Sequence, residues 1–169
     1  FIMFIQSVLE LVPVSSSSVI GLFSEEASNL HFYSGISMAI VLSKELIKIL
    51  LDVKKSIFYI ICTLTTVISV LLFHNVLPII SVYKINIISG LLLLFSIYEI
   101  SDEEFLYSIA DAVCIGFLQS IAAIMPGCSR LGSVLTWLFF NGISFKESLL
   151  IGYILGIPIN ISAYLYKHS

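Results

Sequence analysis

Arg130 is the single arginine of a 169-residue chain, and it directly follows Pro126-Gly127-Cys128-Ser129 between two apolar stretches. A guanidinium set at such a depth is expensive and normally turns to a partner inside a helical bundle. Its planar fork of donors suits phosphate oxygens. A second polar group stands near the start of the chain, where Gln6, Glu10, Pro13, Ser15, Ser16 and Ser17 interrupt an equally apolar stretch. Gln6 and Glu10 are four residues apart and project from one helix face into the same space. Two oxygen-bearing side chains at that spacing could hold a hard divalent cation beside a phosphate. Blander readings stand alongside. Arg130 and Glu10 would form an ion pair that only holds the two segments together, Glu10 would be a protonated acid hydrogen-bonded in the bundle, and the serine run would be a capped turn.

Each polar group is tied to a proline. Pro removes a backbone donor and clashes with the preceding turn, so a helix breaks there. The half-helix that starts beyond the break has unpaired first amides and a partial positive charge, which serines cap and anions, phosphate above all, can occupy. Ser15, Ser16 and Ser17 follow Pro13; Gly127, Cys128 and Ser129 follow Pro126. Gly127, with no Cβ, would let the backbone come close to a ligand. Glu10, Ser16 and Arg130 are therefore candidates for the centre of a phosphate site. Gln6, Ser15, Ser17, Gly127 and Ser129 are candidates for binding substrate, and Gln6 and Glu10 for holding the metal.

The elements that must position these residues are membrane elements. The chain is 59% hydrophobic and 11% charged, with mean hydropathy +1.08, far from the composition of a soluble domain. Spans are expected at about 33–51, 57–77, 85–100 and 148–166. Lys44, Lys48, Lys54 and Lys55 cluster from the end of the first span to the start of the second and place that connection in the cytoplasm. Cys62, Cys114 and Cys128 have no paired or metal-type spacing and read as small hydrophobes. Asp111 lies near the mouth of the second broken segment, where it would cap or anchor it.

The broken segment occurs twice. Phe4-Ile5-Gln6-Ser7, followed by Pro13 and Ser16, reappears as Phe117-Leu118-Gln119-Ser120, followed by Pro126 and Ser129, in the same register. Irregular backbone at membrane depth is tolerated only where it is buried in protein or lines a wet cavity. Residues 1 to about 23 and about 108 to 142 are therefore expected to be two re-entrant hairpins, each a pair of half-helices. Three spans between them put the second hairpin on the opposite face. The fold class expected is an all-α integral membrane bundle with an inverted repeat. Residues 1–104 form the first repeat, and residues 105–169 a second one lacking the two further helices that symmetry would supply.

The residues resemble a known family. Gln6-Ser-Val-Leu-Glu10-Leu-Val-Pro13-Val-Ser-Ser16-Ser is similar to the (E/Q)G-x-x-E-F-L-P-V-S-S-(S/T)-G-H signature of integral-membrane undecaprenyl-diphosphate phosphatases of the bacitracin-resistance type. Met125-Pro126-Gly127-Cys128-Ser129-Arg130-Leu131-Gly132 resembles their P-G-x-S-R-S-G motif, with Gly116 and Gln119 ahead of it fitting as well. The resemblance implies removal of the terminal phosphate from a C55 polyprenyl diphosphate, recycling the lipid carrier of cell-wall polymers with a divalent metal. It implies a site in the bacterial inner (plasma) membrane that faces the periplasm or exterior. Glu10 then matches an acidic site residue, Ser16 a nucleophile or phosphate ligand, Arg130 the phosphate-binding arginine, and Gln6 a site position filled by Glu or Gln. The family histidine falls on Val19, and two further hydroxyl positions fall on Leu131 and Val134. The expected partners are a polyprenyl diphosphate lipid and the bilayer, with no nucleic acid and a homodimer left open. A protein that binds or flips a polyprenyl lipid, and a family member without activity, are the competing readings.

Overall fold

The computed structural model describes residues 27–73, 106–125 and 128–168. Among these residues the regular structure is helical: α1 (Ala27–Val41), α2 (Ser43–Leu51), α3 (Val53–Phe73), α4 (Ile109–Ile124), α5 (Arg130–Phe140) and α6 (Phe145–His168). α3 lies along α4, α1 lies along α6, and α5 bridges α4 and α6. The first expected hairpin, the expected span at 85–100 and the repeat boundary at 104 and 105 lie outside the described residues.

α1 and α2 together fill the span expected at 33–51, starting six residues earlier. Leu42 interrupts them only locally: its amide still reaches the Met38 carbonyl at 2.8 Å, and its own carbonyl accepts from Leu46 at 2.9 Å. All four lysines of the cluster lie in helices. Asp52 alone separates α2 from α3, and its carboxylate accepts from the amides of Lys54 at 3.0 Å and Lys55 at 3.2 Å, capping α3 and setting both lysines in its first turn. On α2, Lys48 pairs with Glu45 at 2.8 Å on an exposed face.

α3 is the one helix among the described residues that is both long and apolar enough to cross a membrane. At 21 residues it measures about 32 Å, the thickness of a bilayer core. Its polarity is reversed relative to a soluble helix. Ile57, Ile60, Leu64, Ile68 and Leu71 follow helical spacing and are each 46–58% exposed, whereas the buried face includes Thr66 and Ser69. A face of isoleucine and leucine left outside, with hydroxyls turned inward, fits lipid as the surrounding solvent. The inner faces of α3, α4, α5 and α6 meet in a close-packed cluster of Phe58, Cys62, Ala112, Ile115, Val134, Leu138, Ile151 and Leu155. Cys62, fully buried there, behaves as the small hydrophobe expected.

The seam between α3 and α4 is close at Gly116. A Cβ there would lie 2.6 Å from the Cys62 carbonyl oxygen and 2.7 Å from Thr65 Cβ, so only glycine fits. The contact is polar at its centre. Thr66 Oγ1 has the Cys62 carbonyl at 2.8 Å, the Gly116 carbonyl at 3.1 Å and Gln119 Oε1 at 3.1 Å around it. Gln119 is 1% exposed and sits in this helix–helix contact.

Just before α4, Tyr107 has a positive φ of 49° and its ring docks on α3. There the ring packs edge-on against Phe58 at 5.2 Å, with the Lys55 ammonium 5.1 Å from its centroid. Burial, reinforced by the negative charge of Glu147, pushes the Tyr107 phenol up to about 12, so it is neutral at any working pH. Ser108 then caps α4, accepting from the Asp111 amide at 3.1 Å. Asp111 has the anchoring role expected of it: its carboxylate accepts from Trp137 Nε1 at 3.1 Å and so fastens α5 to α4.

α5 ends in a tight glycine turn. Gly142 has φ 73°, a left-handed conformation that costs glycine little. Its amide reaches the Phe139 carbonyl at 2.9 Å, the amide of the buried Ile143 reaches Leu138 at 3.0 Å, and Ser144 opens α6. This is the double closure of a Schellman motif. It sends the chain straight into α6, which packs against α5.

Candidate functional site

The expected break between α4 and α5 is present. α4 ends at Ile124, with Met125 extended, and α5 begins at Arg130. The residues after the break fold back onto the first turn of α5. Ser129, buried, adopts an extended backbone as its N-cap, and its hydroxyl accepts from the Gly132 amide at 3.1 Å. Ser133 returns a hydroxyl bond to the Ser129 carbonyl at 3.0 Å, and Cys128 Sγ lies 3.8 Å from Ser133 Oγ. A serine hydroxyl that accepts at a cap keeps its own proton to donate.

Arg130 is therefore the first residue of a capped helix, where the amide dipoles add positive charge to its own. It is half-buried. Its Nη2 donates to Oδ1 of Asn160, in the middle of α6 and 0% exposed. Pro158 precedes Asn160 by two residues and cannot donate to the Ile154 carbonyl, so α6 is weakened at this level. On the other side, α1 comes close at Gly35, where a Cβ would stand 3.3 Å from Asn160 Cβ. Asn160 Nδ2 is a buried donor with no hydrogen-bond partner among the described residues.

Of the residues expected from the sequence, the structure brings Ser129 and Arg130 together at one helix start. Gln6, Glu10, Ser15, Ser16, Ser17 and Gly127 lie outside the described residues. Asn160 is the residue that sequence reasoning missed. Its signal was a carboxamide two residues beyond a proline inside an apolar span. The described groups able to donate are a guanidinium, a carboxamide NH2, a hydroxyl and the first amides of α5. Such a set fits an anion. No cluster of three His, Cys, Asp or Glu among the described residues could hold a metal, and the ligands expected for a divalent cation, Gln6 and Glu10, lie outside those residues.

The cap gives a first prediction. Ser129→Ala should lower stability by about 1 kcal/mol. Ser129→Asp should restore the cap while repelling phosphate. Thermal melts of the detergent-purified variants, set beside phosphate binding, separate the two effects.

Residues 1–169 match the family model described as bacitracin resistance protein BacA. The chain belongs to this family. A relative from Thermosipho africanus (strain TCF52B), named undecaprenyl-diphosphatase, is 30% identical over 189 residues, an alignment covering 98% of this chain and 75% of the relative. The resemblance read from the two motifs is thereby borne out, and this BacA-family chain is a helical membrane protein.

Proposed function

We propose that this BacA-family chain hydrolyses undecaprenyl diphosphate to undecaprenyl phosphate and phosphate, recycling the lipid carrier of cell-wall synthesis. Family membership and the name of the Thermosipho relative support a phosphatase. The structural observation that carries the reading is Arg130, placed at the capped start of α5 inside a bundle whose outer face is apolar. A diphosphate headgroup would meet the guanidinium and the amides of α5 while its prenyl chain lies along the lipid-facing side chains. In the reaction one P–O–P bond breaks and water supplies the new oxygen. The terminal phosphoryl group passes through a state whose spread negative charge must be met by fixed donors.

The finer assignments belong to the same proposal. α4 and α5, of 16 and 11 residues, are about 24 and 17 Å long, each short of a full crossing, which supports a re-entrant hairpin. A matching hairpin at residues 1–23, related by an inverted repeat, would bring Glu10 and Ser16 to Arg130. Ser16 would attack the terminal phosphorus, or orient the phosphate for water. Gln6 and Glu10 would hold Mg or Ca, which offsets charge on the diphosphate when bound. Ser15, Ser17 and Gly127 would line the headgroup site. With the lysines of α2 and α3 in the cytoplasm, the site opens to the periplasm or exterior of the bacterial inner membrane; a homodimer is compatible with this arrangement.

The test is release of inorganic phosphate from undecaprenyl diphosphate by the protein purified in detergent with Mg or Ca. Turnover is the result expected. Tight lipid binding with no phosphate released would overturn hydrolysis and favour a lipid-flipping role built on the same cavity.

A further inference from the structure

A buried carboxamide normally satisfies both of its ends, because an unpaired donor in a dry interior forfeits its hydrogen bonds to water. Asn160 satisfies one. Its Oδ1 accepts from the Arg130 guanidinium, and its Nδ2, on the same carbon, is left without an acceptor among the described residues at 0% exposure. The orientation is fixed by its neighbour, since a guanidinium only donates and therefore requires the oxygen. Nδ2 consequently lies beside the guanidinium that Arg130 extends from the first turn of α5. The backbone holds it there from two sides: α6 carries it just past Pro158, and Gly35 of α1 lies against its Cβ. An apolar residue of similar size would fill this space with no orphan donor at all. The geometry points to Asn160 as a phosphate-binding residue: its Oδ1 aims the guanidinium, and its Nδ2 donates to an oxygen of the same anionic headgroup. This deepens the diphosphatase reading and rests on it for the ligand, a diphosphate.

The probe is inorganic pyrophosphate, added with Mg to the full chain in detergent. Calorimetry should show binding to the wild type, weakened about tenfold or more in Asn160→Leu, which removes both ends of the amide, and in Asn160→Asp, which keeps the acceptor but loses the donor. With asparagine labelled by nitrogen-15, the side-chain amide signal that vanishes in Asn160→Asp should move when pyrophosphate is added to the wild type. A role confined to packing would leave that signal in place. Binding of pyrophosphate with an unmoved Asn160 signal, wild-type affinity in both variants, or absence of binding by the wild type would each overturn the inference. The first two of these results leave the diphosphatase reading standing, and the turnover assay tests that reading separately.

Discussion

Arg130→Ala is expected to lower phosphate release from undecaprenyl diphosphate by about 10³-fold or more, the scale at which an arginine stabilises a transferring phosphoryl group. Alanine at the first position of α5 is compatible with the helix, and the Ser129 cap does not depend on the side chain it precedes. The loss should therefore appear in kcat/KM with little change in helix content. Asn160 would lose its guanidinium partner and be left with two unsatisfied ends, so a modest fall in thermal stability is also expected. Arg130→Lys should recover part of the rate, because an ammonium keeps the charge without the planar fork. Steady-state turnover and circular dichroism on the same preparations decide the matter. Turnover of the alanine variant at the wild-type rate would remove Arg130 from the site.

The second large effect concerns folding. Gly116→Ala should destabilise by about 1–3 kcal/mol, and Gly116→Val by more, through overpacking of the α3–α4 seam. The atom met is a backbone oxygen, Cys62 O at 2.6 Å, which cannot swing aside as a side-chain end would. Relief requires α4 to move off α3, and that movement breaks the bonds linking Thr66 with Gly116 and Gln119. Thermal unfolding monitored by size-exclusion chromatography in detergent should show an earlier transition for alanine and poor recovery of monodisperse protein for valine. A valine variant as stable as the wild type would mean that the two helices do not touch there.

The break between α4 and α5 was legible because the residues that break a helix in hydrocarbon are few. Pro126 and Gly127 between two apolar runs, with a serine and the sole arginine next to them, fix both the position of the break and the start of α5. Asp111 was legible as an anchor because a carboxylate beside the first turn of a helix has few other uses. Asp52 was harder: only its contact with the amides of Lys54 and Lys55 shows that α3 begins four residues before the expected span. Gln119 shows the limit of a repeat alignment. Its register matches Gln6, yet its side chain faces Thr66 on α3, and which helix lies opposite is a tertiary fact that a periodicity does not contain. Asn160 was missed for the same reason. A lone amide in an apolar span gains meaning only when α5 places a guanidinium against it.

The glycine turn at 141–144 works as a ruler. From it, Arg130 is reached by about 15 Å of α5 and Asn160 by about 22 Å of α6, a mismatch that the long arginine side chain closes. Adding one residue to either arm would advance its tip by 1.5 Å and swing it about 100° around the helix axis. Two groups that meet each other are thus calibrated from a single bend, and the count of residues on each side of Gly142 decides their contact as much as the identity of the side chains at the ends.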